Sequence, residues 1–157
     1  MNSKTAAFLE NARLLRTLGI LPLMYGSLGL EYLTGKPLNA DDVDILIPGV
    51  YVGEKWQALK ALLEKHGYTL IDEHEHEFEK DGVHFAYACI EELGSFAGIR
   101  LTDIAQRTDN GVPFQLLSLE QYLKVYTASA KDGYRINTRN KKDHEKIRFI
   151  ESLLYSS

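Results

Sequence analysis

The chain has 157 residues, with 18 lysines and arginines against 22 aspartates and glutamates, so its formal net charge at pH 7 is −4. This length is typical of a single domain with a buried core. The excess of acidic residues excludes the broad basic surface that duplex DNA binding needs. The single cysteine, Cys89, excludes a disulfide within the chain, and its apolar neighbours predict a small buried side chain in a reducing cytoplasm.

The first half of the chain alternates helical and strand-like patterns. Polar residues interrupt the apolar positions of the N-terminal segment, which predicts a soluble protein without a signal peptide or a membrane span. Apolar periodicity and turn residues predict, in order, a helix over 4–18, a strand over 21–25, a helix over 28–33, a strand over 43–47, a helix over 54–66 and a strand over 68–71. This alternation predicts an α/β or α+β fold with a mixed sheet flanked by helices.

A β-hairpin is predicted over residues 75–90, around the turn pair Asp81-Gly82. If this pair forms a two-residue turn, Lys80 faces Val83 and Glu79 faces His84 in adjacent strands. Strand alternation then divides the side chains between two faces. The face suited to a core holds Phe78, Phe85, Tyr87 and Cys89, and the acidic opposite face holds Glu75, Glu77, Glu79, His84, Ala86 and Ala88.

The C-terminal part of the chain predicts a second hairpin and two helices. Strand-like runs over 99–105 and 112–117 flank the turn sequence Asp109-Asn110-Gly111. Ser118 and Gln121 match a capping box that starts a helix over 119–130, and apolar residues at helical spacing predict a last helix over 141–154. We therefore expect an α/β core over 1–117 and a helical segment over 118–157 packed on the same domain.

Two short sequences near the first strands have the arrangement of a phosphate and metal site. Gly26-Ser27 follows the first predicted strand, and fourteen residues separate Ser27 from Asp42-Val43-Asp44-Ile45. Carboxylates two positions apart on a strand share one side, so Asp42 and Asp44 suit a single divalent cation. Considered separately, Gly26-Ser27 also fits a strand-to-helix turn with Ser27 as the N-cap, and the aspartates also fit a solvent-exposed strand.

Taken in order, these segments resemble a known signature. Met24-Tyr25-Gly26-Ser27, a short helix, a polar loop and Asp42-Val43-Asp44-Ile45 resemble the pattern of the DNA polymerase beta-like nucleotidyltransferase superfamily. The later part of the chain, with Ser118, Lys124 and Lys142, is similar to the C-terminal helices of small bacterial members related to antibiotic and abortive-infection nucleotidyltransferases. The resemblance covers roughly residues 20–155.

The resemblance implies transfer of a nucleoside monophosphate from ATP or another triphosphate to a hydroxyl of a small molecule, a protein or an RNA end. Asp42 and Asp44 would hold Mg²⁺ or Mn²⁺ on the phosphates. Gly26 would permit close backbone approach, and Ser27 would hydrogen-bond a terminal phosphate. Lys124 and Lys142 are candidate cationic partners of the phosphates. Their alternatives are a stem packed on the sheet for Lys124 and a solvated helix start for Lys142.

The chain departs from the family pattern at the position of a third carboxylate, where it has Val83-His84-Phe85. His84 could act as a base toward the acceptor hydroxyl, or Glu77 or Glu79 on the same face could replace the acid. A third interpretation is a catalytically reduced nucleotide-binding or antitoxin-like module, and a fourth is a structural partner protein with the acidic hairpin face as its interface. A hydrogen bond from His84 to Glu79 is the purely structural alternative.

Overall fold

The structure is a computed structural model that describes residues 2–131 and 138–155. They form two compact units, which we call the sheet unit (Met1–Glu91 with Ala105–Leu116) and the helical unit (Glu92–Ile104 with Leu117–Ser157). Within the described ranges, no helix combines the length and the apolar character needed to cross a membrane.

The sheet unit contains three α-helices and seven β-strands in the part of the chain that the structure describes. These are α1 Ser3–Arg16, β1 Leu23–Tyr25, α2 Gly26–Thr34, β2 Val43–Ile47, α3 Trp56–Lys65, β3 Thr69–Asp72, β4 Glu77–Lys80, β5 Val83–Cys89, β6 Ala105–Asp109 and β7 Val112–Leu116. The strands form one sheet in the order β3-β4-β5-β2-β1-β7-β6. The β2–β5 and β1–β7 pairs are parallel and the other pairs are antiparallel, which confirms the predicted mixed sheet flanked by helices.

The core of the sheet unit lies between one face of the sheet and the helices α1 and α3. Phe8 of α1 packs edge-on against Phe114 of β7, with 5.4 Å between the ring centroids. The same core takes in Val43, Ile45 and Ile47, the alternate residues of β2. Because successive strand residues point to opposite faces, burial of these three side chains directs the aspartate of β2 to the other face of the sheet.

The β4–β5 hairpin has the predicted register, with Lys80 opposite Val83 and Glu79 opposite His84. Strand β4 nevertheless begins at Glu77, so the prediction that Glu75 lies on the acidic strand face is wrong. Residues 73–76 form a turn in which His76 has a φ of 52°, and the backbone N–H of Glu75 donates to Oδ1 of Asp72 at 3.2 Å. This local hydrogen bond to an aspartate favours a turn over a strand.

The second hairpin also turns where predicted, at Asn110-Gly111, but its first strand starts at Ala105 instead of residue 99. The apolar residue Ile99 is buried without being part of a strand, and its N–H donates to the carbonyl of Leu93 in a short helix, α4 Glu92–Ala97. Strand β6 is mostly exposed at the edge of the sheet, and its polar side chains lack the apolar alternation from which strands are recognised.

The helical unit contains α4, α5 Leu119–Ala130 and α6 Thr138–Leu154. The predicted capping box of α5 is confirmed, since Ser118 Oγ accepts from the Gln121 N–H at 3.2 Å and Gln121 Oε1 accepts from the Ser118 N–H at 2.9 Å. Helices α5 and α6 are joined by a buried hydrogen bond of 2.7 Å, which Ser129 Oγ donates to Asp143 Oδ2. Helix α6 begins three residues before its predicted start at Lys141.

Two buried tyrosines predict a loss of stability at alkaline pH. Burial raises the pKa of Tyr68 and raises that of Tyr87 well above its ordinary value. The folded state therefore keeps both phenols neutral, whereas the unfolded chain ionises them near pH 10. Their contribution to the free energy of unfolding is fully present below about pH 10 and is lost as the pH rises, by up to about 1.4 kcal/mol per unit for each tyrosine. Urea unfolding from about pH 9 to pH 11 measures this slope. Tyr87→Phe should reduce it, and an unchanged slope would contradict the prediction.

Candidate active site

The two predicted motifs meet at the centre of the sheet. Strands β1 and β2 are antiparallel, with Tyr25 directly opposite Asp44. Gly26 follows as the first residue of α2, and Ser27 is the second. The chain therefore passes from strand to helix beside the acidic strand, although the two motifs are separated in sequence.

Gly26 lies against the carboxylate of Asp44. Its φ is +63°, a left-handed conformation that glycine adopts without the steric cost paid by other residues. A Cβ atom built on Gly26 would lie 2.6 Å from Oδ2 of Asp44. Both the backbone conformation and the available space therefore require glycine at this position, and they bring the strand-to-helix turn close to the carboxylate.

Helix α2 presents its N-terminus at the same turn. Tyr25 occupies the N-cap position and makes no side-chain cap hydrogen bond, while Ser27 lies inside the first turn, so the interpretation of Ser27 as the N-cap is wrong. The first N–H groups of an α-helix have no acceptor within the helix, and they form the positive end of its dipole. This end of a nine-residue helix is chemically suited to a phosphate group.

The two aspartates differ in their surroundings. Asp42 is exposed and immediately precedes β2, whereas Asp44 is half-buried within the strand. Asp44 lies beside Ala86 of the parallel strand β5, and Val43 lies beside Phe85. His84 therefore lies one step before Phe85, next to the position of Asp42, and strand alternation places it on the face that Asp44 shares.

Glu77 of β4 is the hydrogen-bond partner of His84. Nδ1 of His84 lies 2.9 Å from Oε1 of Glu77, so the predicted hydrogen bond between His84 and Glu79 is wrong. Glu79 is directly opposite His84 in the ladder, but its Oε1 accepts the backbone N–H of Gly82 at 2.8 Å. Glu79 is thus hydrogen-bonded within the tight turn, while His84 is hydrogen-bonded to its diagonal neighbour Glu77 on the acidic face. Both side chains remain accessible, with 45% of His84 and 29% of Glu77 exposed.

Asp42 and Asp44 are the carboxylates that the motif offers to a divalent cation. Within residues 2–131 and 138–155, no three histidine, cysteine, aspartate or glutamate side chains form a group able to hold a metal ion. Mg²⁺ in nucleotide enzymes is commonly bound by one or two carboxylates together with substrate phosphates and water. The donor set of Asp42 and Asp44 fits this mode, in which protein and nucleotide share the ion.

Lys124 and Lys142, the candidate phosphate partners of the helical unit, are both exposed, on α5 and α6 respectively. Neither residue is buried as a whole. Contact of either lysine with a nucleotide stays a prediction.

A further polar cluster, which the sequence did not reveal, joins the ends of β2 and β5. The carboxylate of Glu91 accepts the backbone N–H of Gly49, at 2.9 Å to its nearer oxygen, and the thiol of Cys89 at 3.3 Å. Burial raises the pKa of Glu91, but these hydrogen bonds and one from its own backbone outweigh burial and lower it. Cys89 is therefore a half-buried thiol donor and not the buried apolar residue that its neighbours predicted.

Comparison with known proteins identifies one curated relative. Uncharacterized protein YnaI of Bacillus subtilis (strain 168) is 42% identical over 139 residues, which cover 88% of this chain and 89% of that protein. No protein-family model matches the chain.

Two solved structures share its fold at low sequence identity. An antigenic nucleotidyltransferase-like protein from Paracoccidioides brasiliensis has a TM-score of 0.66 and 18% identity, over 94% of this chain and 75% of that chain. The antibiotic-resistance factor ANT(2'')-Ia, known from a solution structure, has a TM-score of 0.55 and 15% identity, over 99% of this chain and 94% of that chain. They confirm the fold predicted from the motif order. The chain thus has a nucleotidyltransferase-like fold and belongs to the same protein family as YnaI.

Proposed function

We propose that this protein is a metal-dependent nucleotidyltransferase that moves a nucleoside monophosphate from a nucleoside triphosphate to a hydroxyl group of an acceptor. The observation that best supports this proposal is the close approach of Gly26 to Asp44, where a Cβ would lie only 2.6 Å from the carboxylate. A carboxylate suited to a cation then lies beside a helix N-terminus suited to a phosphate. A metal-bound triphosphate presents both charges at once, so one ligand matches both features.

The proposed roles follow from phosphoryl-transfer chemistry, in which most of the catalysis is positioning and stabilisation of charge. Asp42 and Asp44 would hold Mg²⁺ or Mn²⁺, which when bound neutralises negative charge on the phosphates. Ser27 and the first-turn N–H groups of α2 would hydrogen-bond the phosphates. Lys124 and Lys142 are proposed as additional cationic contacts.

The acceptor is proposed to be a small hydroxylated molecule or a protein side chain. The chain carries a net charge of −4, which repels a polyanion such as RNA more than it repels a neutral or cationic acceptor. An RNA end remains the less favoured acceptor of the three.

The alternative function is a nucleotide-binding or antitoxin-like module of the same fold without turnover. His84 favours this alternative, because it occupies the position at which a third carboxylate was expected. Loss of that carboxylate weakens metal binding while leaving the turn at Gly26 and Ser27 able to bind phosphate.

Turnover separates these two functions. We expect radiolabelled triphosphates with MgCl₂ to release pyrophosphate and to label an acceptor from a panel of sugars, a hydroxyl-bearing peptide and an RNA oligonucleotide. Triphosphate with MgCl₂ should also raise thermal stability, by about 2.7 kcal/mol at a hundredfold excess over the dissociation constant. MgCl₂ alone should raise it little, because the ion is shared with the phosphates. Stabilisation without pyrophosphate release supports the binding module, and the absence of both effects contradicts both functions.

A further inference from the structure

We infer that His84 is the group that takes the proton from the acceptor hydroxyl, and that Glu77 is the positioning residue that fixes which ring nitrogen does so. This inference rests on the proposed function and deepens it, because it assigns the base of the same site. It replaces the expected third carboxylate with a histidine–glutamate pair.

The hydrogen bond between the two side chains sets the protonation pattern of the ring. Oε1 of Glu77 lies 2.9 Å from Nδ1 of His84. An ionised carboxylate can only accept hydrogen bonds, so Nδ1 must carry the hydrogen. In the neutral imidazole the other nitrogen, Nε2, then has a lone pair available to accept a proton. Glu77 therefore prepares the ring to act as a base through Nε2.

The position of His84 in the sheet suits this role. The register that pairs Val43 with Phe85 brings His84 beside the position of Asp42, on the face that Asp44 shares. Ala86, directly beside Asp44, carries only a methyl group as its side chain. With 45% of its side chain exposed, His84 can be reached by an acceptor molecule.

The proposed step balances in atoms and electrons. The acceptor hydroxyl gives its proton to Nε2 of His84 while its oxygen forms a bond to the α-phosphorus of the nucleoside triphosphate. The bond between that phosphorus and the oxygen bridging to the β-phosphorus breaks, and pyrophosphate leaves with the electron pair. The ring then carries a proton on each nitrogen, and its positive charge is stabilised by the Glu77 carboxylate. The ring afterwards returns the proton on Nε2 to solvent.

A first test is independent of turnover and measures the tautomer of His84. Nitrogen NMR of the isotopically labelled imidazoles, with His84 assigned from a His84→Gln sample, should show hydrogen on Nδ1 and none on Nε2 in the neutral ring. Glu77→Gln should remove this strong preference, because a neutral amide can either accept from or donate to Nδ1. Glu75→Gln is the matched control, since it removes the same charge from the exposed turn just before β4 and should leave the tautomer unchanged.

A second test measures the transfer rate. His84→Ala should lower kcat by about 10²- to 10⁴-fold, the range contributed by a general base. Added imidazole should raise the kcat of His84→Ala at least tenfold. It would not do so if the histidine had a purely structural role. Glu77→Gln should lower kcat more than it changes KM for the triphosphate, whereas Glu75→Gln should change neither. Thermal unfolding of each variant establishes that it is folded.

The outcomes separate the inference from the function on which it rests. If wild-type protein transfers nucleotide, the proposed function stands. The histidine–glutamate base is then wrong if His84→Ala is equally fast or if Nε2 carries the hydrogen. If wild-type protein releases no pyrophosphate with any triphosphate and acceptor of the panel, the function and the inference fall together. An Nδ1 hydrogen, a slow His84→Ala variant and its recovery with imidazole support the assignment.

Discussion

Replacing Asp44 by asparagine should lower the rate of nucleotide transfer by about 10³-fold or more, a loss of about 4 kcal/mol of transition-state stabilisation. Asparagine keeps the shape of the side chain but removes the charge that would hold the metal ion. The backbone pairing of Asp44 with Tyr25 and Ala86 does not depend on that charge, so we expect the variant to fold. Steady-state rates of pyrophosphate release, together with calorimetric titration of triphosphate and MgCl₂, measure the two consequences.

Asp81→Asn is the matched control for this change. Asp81 lies in the exposed turn between β4 and β5, with a φ of 52°, a conformation that asparagine tolerates well. It loses the same charge outside the candidate site, so its transfer rate should remain close to that of the wild type. A wild-type rate in Asp44→Asn would exclude the proposed role of this carboxylate, whatever the control does.

The second large effect is expected for Gly26→Ala. Gly26 has a φ of +63°, and the added Cβ would lie 2.6 Å from Oδ2 of Asp44, so the carboxylate or the turn must move. A displacement of about 1 Å at a reacting site can cost about 10²-fold in rate. We therefore expect a loss of transfer of at least about that size, in addition to a loss of stability.

Gly35→Ala separates the steric effect from the backbone effect. Gly35 ends the same helix with a φ of +72°, but a Cβ there would have no neighbouring atom within 4 Å. Both variants should lose about 1–2 kcal/mol of unfolding free energy from the left-handed conformation, and Gly26→Ala should lose more. Urea unfolding and transfer rates of the two variants measure the difference. Equal losses of stability, with transfer retained in both, would show that the close approach has no catalytic role.

Local chemistry predicted several elements correctly. The Asp81-Gly82 turn gave the register of the β4–β5 hairpin because a two-residue loop permits few geometries. Ser118 and Gln121 located the start of α5 because the side chain of each residue accepts a hydrogen bond from the backbone N–H of the other. The bounds of β2 were predicted correctly because its apolar run ends at a proline and a glycine.

The errors occurred where local pattern and tertiary burial disagree. Ile99 looked like part of a strand, but it is buried beyond the end of α4. Strand β6 was missed at residues 105–109 because an exposed edge strand needs no apolar alternation. Glu75 was assigned to a strand because charge alternation continued past Glu77, while the hydrogen bond to Asp72 instead formed a turn.

The candidate site divides in the same way. The sequence by itself determined the order of glycine, serine and paired aspartates, because these residue types meet the local demands of a turn and a strand. Through its resemblance to a known signature, this order also predicted the nucleotidyltransferase-like fold. Only the tertiary structure decided that Gly26 lies against Asp44 and that His84 bonds Glu77 instead of Glu79. Both contacts join residues on different elements, so they depend on which strands pair and on which hydrogen-bond donors compete for each carboxylate.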